Sequence, residues 1–132
     1  MSNNKESSYP LDWLKKASED FRRVPLRLKE GDIEDAAFHL QQSIEKALKA
    51  FLLLNKWTLK KIHDLEALLD EVVQLEPSFE KFRSLAQKVT GYYLVERYPG
   101  FEEGPPLEEV KTDFQKAKAL MKEIQKKVKI PR

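Results

Sequence analysis

Apolar residues recur at intervals of three and four along most of this 132-residue chain, the period of a helix with one buried face. Leu11, Leu14, Ala17, Phe21, Val24 and Leu28 mark a first helix. Pro10 opens it at a position that tolerates the missing N–H, and Glu30-Gly31 reads as its stop. Pro25 lies inside it and predicts an interruption, with a kink between Phe21 and Pro25. Asp32 predicts the N-cap of a second helix over 33–54, with Asp35 three residues on as the capping-box acid. Its apolar face is Ala36, Leu40, Ile44, Ala47, Phe51 and Leu54, and Asn55 is placed to take a left-handed cap. Residues 56–63 form a connector in which His63 reads as a turn residue bonded to backbone. Asp64 caps a third helix over 65–75 with Leu65, Leu68, Leu69, Val72 and Val73 inward. Pro77 ends it, and Ser78 is placed to cap a fourth helix over 79–98. The apolar side of that helix is Phe82, Leu85, Ala86, Val89, Tyr92 and Tyr93, and Pro99-Gly100 breaks it. A fifth helix over 107–128 carries Val110, Phe114, Ala117, Leu120, Met121 and Ile124.

Strand-like alternation is absent and there are only four glycines. The pattern therefore predicts an all-α, up-and-down bundle of about five helices. Residues 1–9 are expected to be a disordered lead-in and 10–132 a single domain, a size that suits one core.

Composition narrows the chemistry. There is no cysteine, which removes disulfides, thiolate catalysis and sulfur-ligated zinc. The polar N-terminus has no secretory apolar region, and the longest apolar run, Phe51 to Leu54, is far below the roughly 20 residues of a membrane span. A cytoplasmic setting with no membrane partner is expected. Gly31, Gly91, Gly100 and Gly104 build no phosphate-cradling loop. His39 and His63 lie in different elements without a neighbouring ligand, so no metal site and no cofactor are expected. Formal net charge is +2, but Lys116 to Arg132 holds seven Lys or Arg against one acid, Glu123. That run reads as a solvated helix end or as an electrostatic footprint for RNA.

The second helix has another stripe. His39, Gln42, Glu45, Lys46 and Lys49 recur with helical period beside the apolar face. With Arg97 and Tyr98, near the end of the fourth helix, they are the candidate ligand-binding residues. An Arg fork grips phosphate, Lys adds a point charge, and Gln and Tyr hydrogen-bond or stack on a base. The same residues can equally pair among themselves as a buried network. No catalytic residue is assigned.

The run Ala36-Ala37-Phe38-His39-Leu40-Gln41-Gln42-Ser43-Ile44-Glu45-Lys46-Ala47-Leu48-Lys49-Ala50, then His63-Asp64-Leu65, then Arg97-Tyr98-Pro99, resembles the HEPN family (higher eukaryotes and prokaryotes nucleotide-binding domain). Trp13-Leu14-Lys15-Lys16-Ala17 and the Glu30-Gly31 stop are similar to it as well. The resemblance covers about Leu11 to Val128 and implies a HEPN-like bundle that forms a homodimer. It implies a small prokaryotic protein often encoded beside a minimal nucleotidyltransferase, in pairs that commonly act as toxin and antitoxin. Many such proteins are metal-independent ribonucleases that use an Arg and a His with four to six residues between them. Counting from Arg97, that His would fall on Glu102, Glu103 or Gly104, and no other Arg in the chain has a His at the required spacing. A carboxylate there would repel a phosphate instead of donating to its leaving oxygen.

Three functions remain open from the sequence. One is a dimeric module that binds a nucleotide, an RNA or a partner nucleotidyltransferase in a toxin–antitoxin-type pair. Another is a ribonuclease with a non-standard set such as His39, Arg97 and Tyr98. The third is a purely structural dimer with a buried polar network. The apolar end of the second helix, Phe51 to Leu54, and Trp57 beyond it place the dimer contact near the fourth helix and Tyr92 to Tyr98.

Overall fold

The computed structural model of the protein describes residues 7–93 and 105–128. Five α-helices follow in order: α1 Pro10–Lys29, α2 Ile33–Leu54, α3 Leu65–Leu75, α4 Arg83–Thr90 and α5 Leu107–Lys127. Among the described residues there is no strand. The all-α bundle expected from the apolar spacing is the observed fold.

Its centre is α2, which packs against each of the other four helices. That position explains why α2 is buried almost all round, with Ala36, Ala37, Leu40, Ile44, Ala47, Leu48, Ala50, Phe51, Leu52 and Leu53 in the core. α1 lies antiparallel to it: Trp13 approaches Lys49 near one end, and Arg27 meets Asp35 near the other. α5 runs antiparallel to the segment before and through α4, through Lys127–Glu76 at 3.1 Å, Lys81–Glu123 at 2.7 Å and Lys88–Glu109 at 3.3 Å. Phe21 of α1 stacks on Phe114 of α5 with ring centroids 4.5 Å apart.

The turn between α1 and α2 follows its sequence. Gly31 takes φ +82°, where a side chain would be strained. The Gly31 N–H donates to Leu28 O and the Asp32 N–H to Arg27 O, so the last carbonyls of α1 are satisfied in a Schellman pattern. Asp32 then accepts from the Asp35 N–H at 3.2 Å as the cap of α2.

Several expectations are corrected. Pro25 does not interrupt α1, which continues through it to Lys29. Asn55 is not the left-handed residue: it has φ −97°, and Lys56 has φ +64°. The Lys56 N–H reaches Leu53 O and the Trp57 N–H reaches Leu52 O, the same Schellman pattern moved one residue on. It folds Trp57 back against the core, where its indole N–H donates to Glu71 at 2.8 Å. Leu54 is half exposed and not part of the apolar face.

The fourth helix is shorter than its apolar pattern suggests. Pro77–Phe82 winds as a 3-10 helix, α-winding covers only Arg83–Thr90, and a 3-10 turn Gly91–Tyr93 follows. Phe79 and Phe82 stand three apart, and 3-10 winding eclipses such positions, so both rings enter the core, Phe79 against Phe51 and Phe82 against Phe79. Ser78 makes no cap and its hydroxyl turns to Glu76. Residues 94–98 of the expected helix lie outside the described residues.

Lys56 is the only non-glycine residue with positive φ among those described. A left-handed L-residue carries a penalty on the order of 1 kcal/mol that glycine escapes. Replacing Lys56→Gly should raise stability by about 0.5–1 kcal/mol in urea denaturation. A loss of stability would mean that the lysine stem contributes packing that outweighs its backbone strain.

Candidate functional site

The polar stripe of α2 faces α1, and α1 answers it at seven-residue intervals. Trp13, Asp20 and Arg27 are two turns apart from one another, so they lie in one row along α1. Asp20 is 5% exposed. It accepts from the Lys46 ammonium at 2.6 Å and meets His39 Nδ1 at 2.8 Å. Arg23 stands 3.9 Å away on the solvent side. The other ring nitrogen of His39, Nε2, is 3.3 Å from Asp35, which also accepts from Arg27 at 2.8 Å. The hydrogen bond that Arg27 donates to Asp35, ahead of the charge of Glu30, holds its guanidinium above its ordinary range. The outcome is a continuous chain Arg27–Asp35–His39–Asp20–Lys46 that bridges the two helices.

One turn further along α2 lies a drier group. Lys49 is 1% exposed and donates to Glu45 at 3.1 Å, the i, i+4 spacing that brings two side chains together on a helix. Its ammonium sits 5.2 Å from the centroid of the Trp13 ring, a cation–π contact in a desolvated setting. His63 Nδ1 lies 3.0 Å from the same Glu45 oxygen, while the rest of its ring is exposed. His63 is therefore not a turn residue bonded to backbone but a side-chain partner of α2. The second oxygen of Glu45, Oε1, is buried without a hydrogen-bond partner.

The seven candidate residues thus divide. His39, Lys46, Glu45 and Lys49 are brought together along one face of α2, and each is held by a partner within the chain. Gln42 is half-buried on the same face and makes no side-chain hydrogen bond among the described residues. Arg97 and Tyr98 lie outside the described residues. Asp20, Asp35, His63 and Trp13 complete the cluster and were not read from the sequence. For three of them the signal was there: Trp13 and Asp20 share the heptad row of Arg27, and Asp35 sits four residues before His39.

An open cavity of about 600 Å³ at the α1–α2 turn is lined by Asp32, Glu34, Asp35 and Phe38. Three carboxylates make it hostile to a phosphate, so the His39 end of the stripe does not present an anion site. No group of three or more His, Asp or Glu among the described residues is arranged to hold a metal ion. No helix among them is long and apolar enough to cross a membrane.

A second buried polar junction joins α4 to α5. Tyr92 donates to Asp113 at 2.8 Å, and Lys88 reaches Asp113 at 3.5 Å and Glu109 at 3.3 Å. Burial pulls the Lys88 ammonium down, but Asp113 and then Glu109 outweigh it and leave it above its usual range. On the outside of α3, Arg83 binds Glu80 and Asp70. Hydrogen bonding from Arg83 draws the Glu80 carboxyl below its ordinary value.

A family model described as the HEPN domain matches residues 11–130. A protein of Methanocaldococcus jannaschii named "Putative toxin MJ1304" is 31% identical over 98 residues, which cover 69% of this chain and 64% of that protein. The chain thus spans just under two thirds of the length of this curated relative. The crystal structure of ST0689, an archaeal HEPN homologue, matches with a TM-score of 0.70 at 24% identity, over 92% of this chain and 98% of that one. At that identity the likeness is one of fold.

The burial of Lys49 predicts what its removal does. Lys49→Met keeps most of the stem but leaves Glu45 charged in the interior, which should destabilise the protein by about 3 kcal/mol. Adding Glu45→Leu should recover most of that loss, because an apolar pair of similar volume replaces a buried ion pair at little cost. Chemical denaturation of the single and double variants measures both. A loss below about 0.5 kcal/mol for Lys49→Met, the size typical of a surface charge, would show that the pair is not a structural tie.

Proposed function

This chain belongs to the HEPN domain family, and on that premise we propose that it is the helical component of a toxin–antitoxin-type pair. It works as a homodimer that binds a nucleotide, an RNA or a partner nucleotidyltransferase, and it does not use the Arg/His cleavage chemistry of its ribonuclease relatives. The name of the Methanocaldococcus jannaschii relative supports the toxin–antitoxin setting.

The observation that carries the binding reading is the state of His39. Cleavage of RNA without metal requires a group that takes the 2′-hydroxyl proton and a group that protonates the leaving oxygen. His39 has Asp20 at one ring nitrogen and Asp35 near the other. Neither nitrogen is presented to a phosphate, and the flanking carboxylates would repel one. His63, the other histidine, sets its Nδ1 against Glu45. The ligand set proposed is the outer edge of the α2 stripe, Gln42 and Lys46, together with Arg97 and Tyr98. His39, Glu45 and Lys49 hold that edge in place from beneath.

The homodimer does not form through the apolar end of α2. Phe51, Leu52 and Leu53 are covered within the chain and do not require a second copy.

Purified protein incubated with structured and single-stranded RNA in chelator should show no cleavage above a blank. Sedimentation equilibrium at micromolar concentration should show twice the 15.5 kDa chain mass. A nucleotidyltransferase encoded beside the gene should co-purify with the protein. RNA cleavage lost on His39→Ala or Arg97→Ala would overturn this reading in favour of a ribonuclease with a non-standard set.

A further inference from the structure

The α1–α5 seam carries a charge pattern that the α2 stripe does not explain. Lys15, Arg22 and Lys29 are seven residues apart on α1, and all three are exposed. Their row lies on the flank of α1 away from α2, next to Phe21. On α5, Lys111, Lys118 and Lys122 are exposed and form a row at i, i+7 and i+11. Phe21 stacks on Phe114, and the Lys118 ammonium sits 5.4 Å from the Phe114 ring centroid. The two rows therefore border the same aromatic seam on one outer face of the bundle. Lys111 stands 3.9 Å from Glu108. Among the described residues, the other five cations have no carboxylate within ion-pairing distance.

We propose that this α1–α5 face binds the sugar–phosphate backbone of a nucleic-acid duplex without reading its sequence. Seven residues of helix advance about 10.5 Å, so Lys15 to Lys29 spans about 21 Å, the axial length of about six base steps at 3.4 Å each. Two rows of flexible cations on adjoining helices suit the phosphate lines of a duplex. Single strands are disfavoured by a different feature of the same face. Binding of unpaired bases depends on exposed aromatic rings for stacking. Here Phe114 is 9% exposed, one face of Phe21 is taken by Phe114, and Lys118 covers the Phe114 ring. The face offers charge and no stacking platform.

The inference rests on the binding reading above and adds to its α2-edge ligand set a second surface, which holds the backbone of a duplex. It is tested by fluorescence anisotropy with a 20-base-pair RNA duplex, the matching DNA duplex and one RNA strand of the same length. Titrations run over a range of salt concentrations. Both duplexes, or one of them, should bind more tightly than the strand; a preference between them identifies the physiological source. If all six cations engage, log affinity should fall against log salt with a slope of about −5. The double variant Arg22→Glu with Lys118→Glu should weaken duplex binding at least tenfold while circular dichroism stays native. Lys60→Glu with Lys61→Glu, on the α2–α3 connector, should leave it unchanged. The inference fails if the wild type ignores duplexes at low salt, if the strand binds better, or if the α1–α5 variant binds like wild type. Such a failure leaves the binding reading standing where the nucleotidyltransferase complex still forms, and cleavage of the RNA probe would instead remove that reading.

Discussion

Asp20 sets the register on which the rest of the bundle depends. A carboxylate that is 5% exposed must find polar partners, and it finds the Lys46 ammonium and His39 Nδ1 on the helix alongside. The heptad row Trp13, Asp20, Arg27 meets Lys49, then Lys46 and His39, then Asp35, so one alignment satisfies all three positions. Sliding α1 by seven residues in one direction would set Asp20 against Asp35, two like charges. Sliding it the other way would set Arg27 against His39 and Lys46. Apolar faces alone tolerate such slips, because Leu, Ala and Val pack in several alignments. Buried polar pairs do not, which is the best-attested use of charge in a core. Once α1 and α2 are fixed, α2 presents its remaining circumference to α3, α4 and α5.

The polar stripe of α2 was visible in the sequence, but its meaning was not. Helical period places His39, Gln42, Glu45, Lys46 and Lys49 on one face whether that face meets a ligand or another helix. Deciding between the two requires the complement. Part of that complement was readable: Asp20 is an acid in the same seven-residue row as Trp13, too close to the apolar face of α1 to be wholly exposed. The contact of His63 with Glu45 was not readable, because a connector of eight residues can return to many points on α2. The starts of α2 and α3 were legible because the Asp32 and Asp64 caps agreed with the periodicity, and α5 was legible from its periodicity after Pro105-Pro106. Caps and periodicity disagreed from Pro77 onward, where Phe79 and Phe82 demand a tighter winding than the residues after them.

The cap after α2 shows how a local rule can be right in kind and displaced in position. Asparagine is the better left-handed residue, and Asn55 stands one place too early. Were it the left-handed residue, the chain would turn before Trp57 could reach Glu71. The packing of a large aromatic ring and its half-buried indole hydrogen bond outweigh a backbone preference of about 1 kcal/mol. Asn55 instead donates its side-chain amide to Phe51 O, which satisfies a carbonyl left over at the helix end.

A net charge of +2 conceals how the charges are divided. Asp20, Glu45 and Asp113 are all buried, and each binds cations or hydroxyls that reach inward. Glu109 and Glu71 are half-buried and are engaged in the same way. Each carboxylate spent inside takes up a cation as well, so the pairs change where charge lies on the surface and not its sum. The cations that neutralise them are drawn mostly from α2 and α4, so the shortage of acids falls on the helices whose lysines stay outside, α1 and α5. A positive face at the α1–α5 seam is thus the counterpart of the acidic groups that hold the bundle in register. The interior network and the exterior field arise from one distribution of charge: an acid of α1 or α5 that turns inward to a cation of another helix leaves the lysines and arginines of its own helix in excess outside.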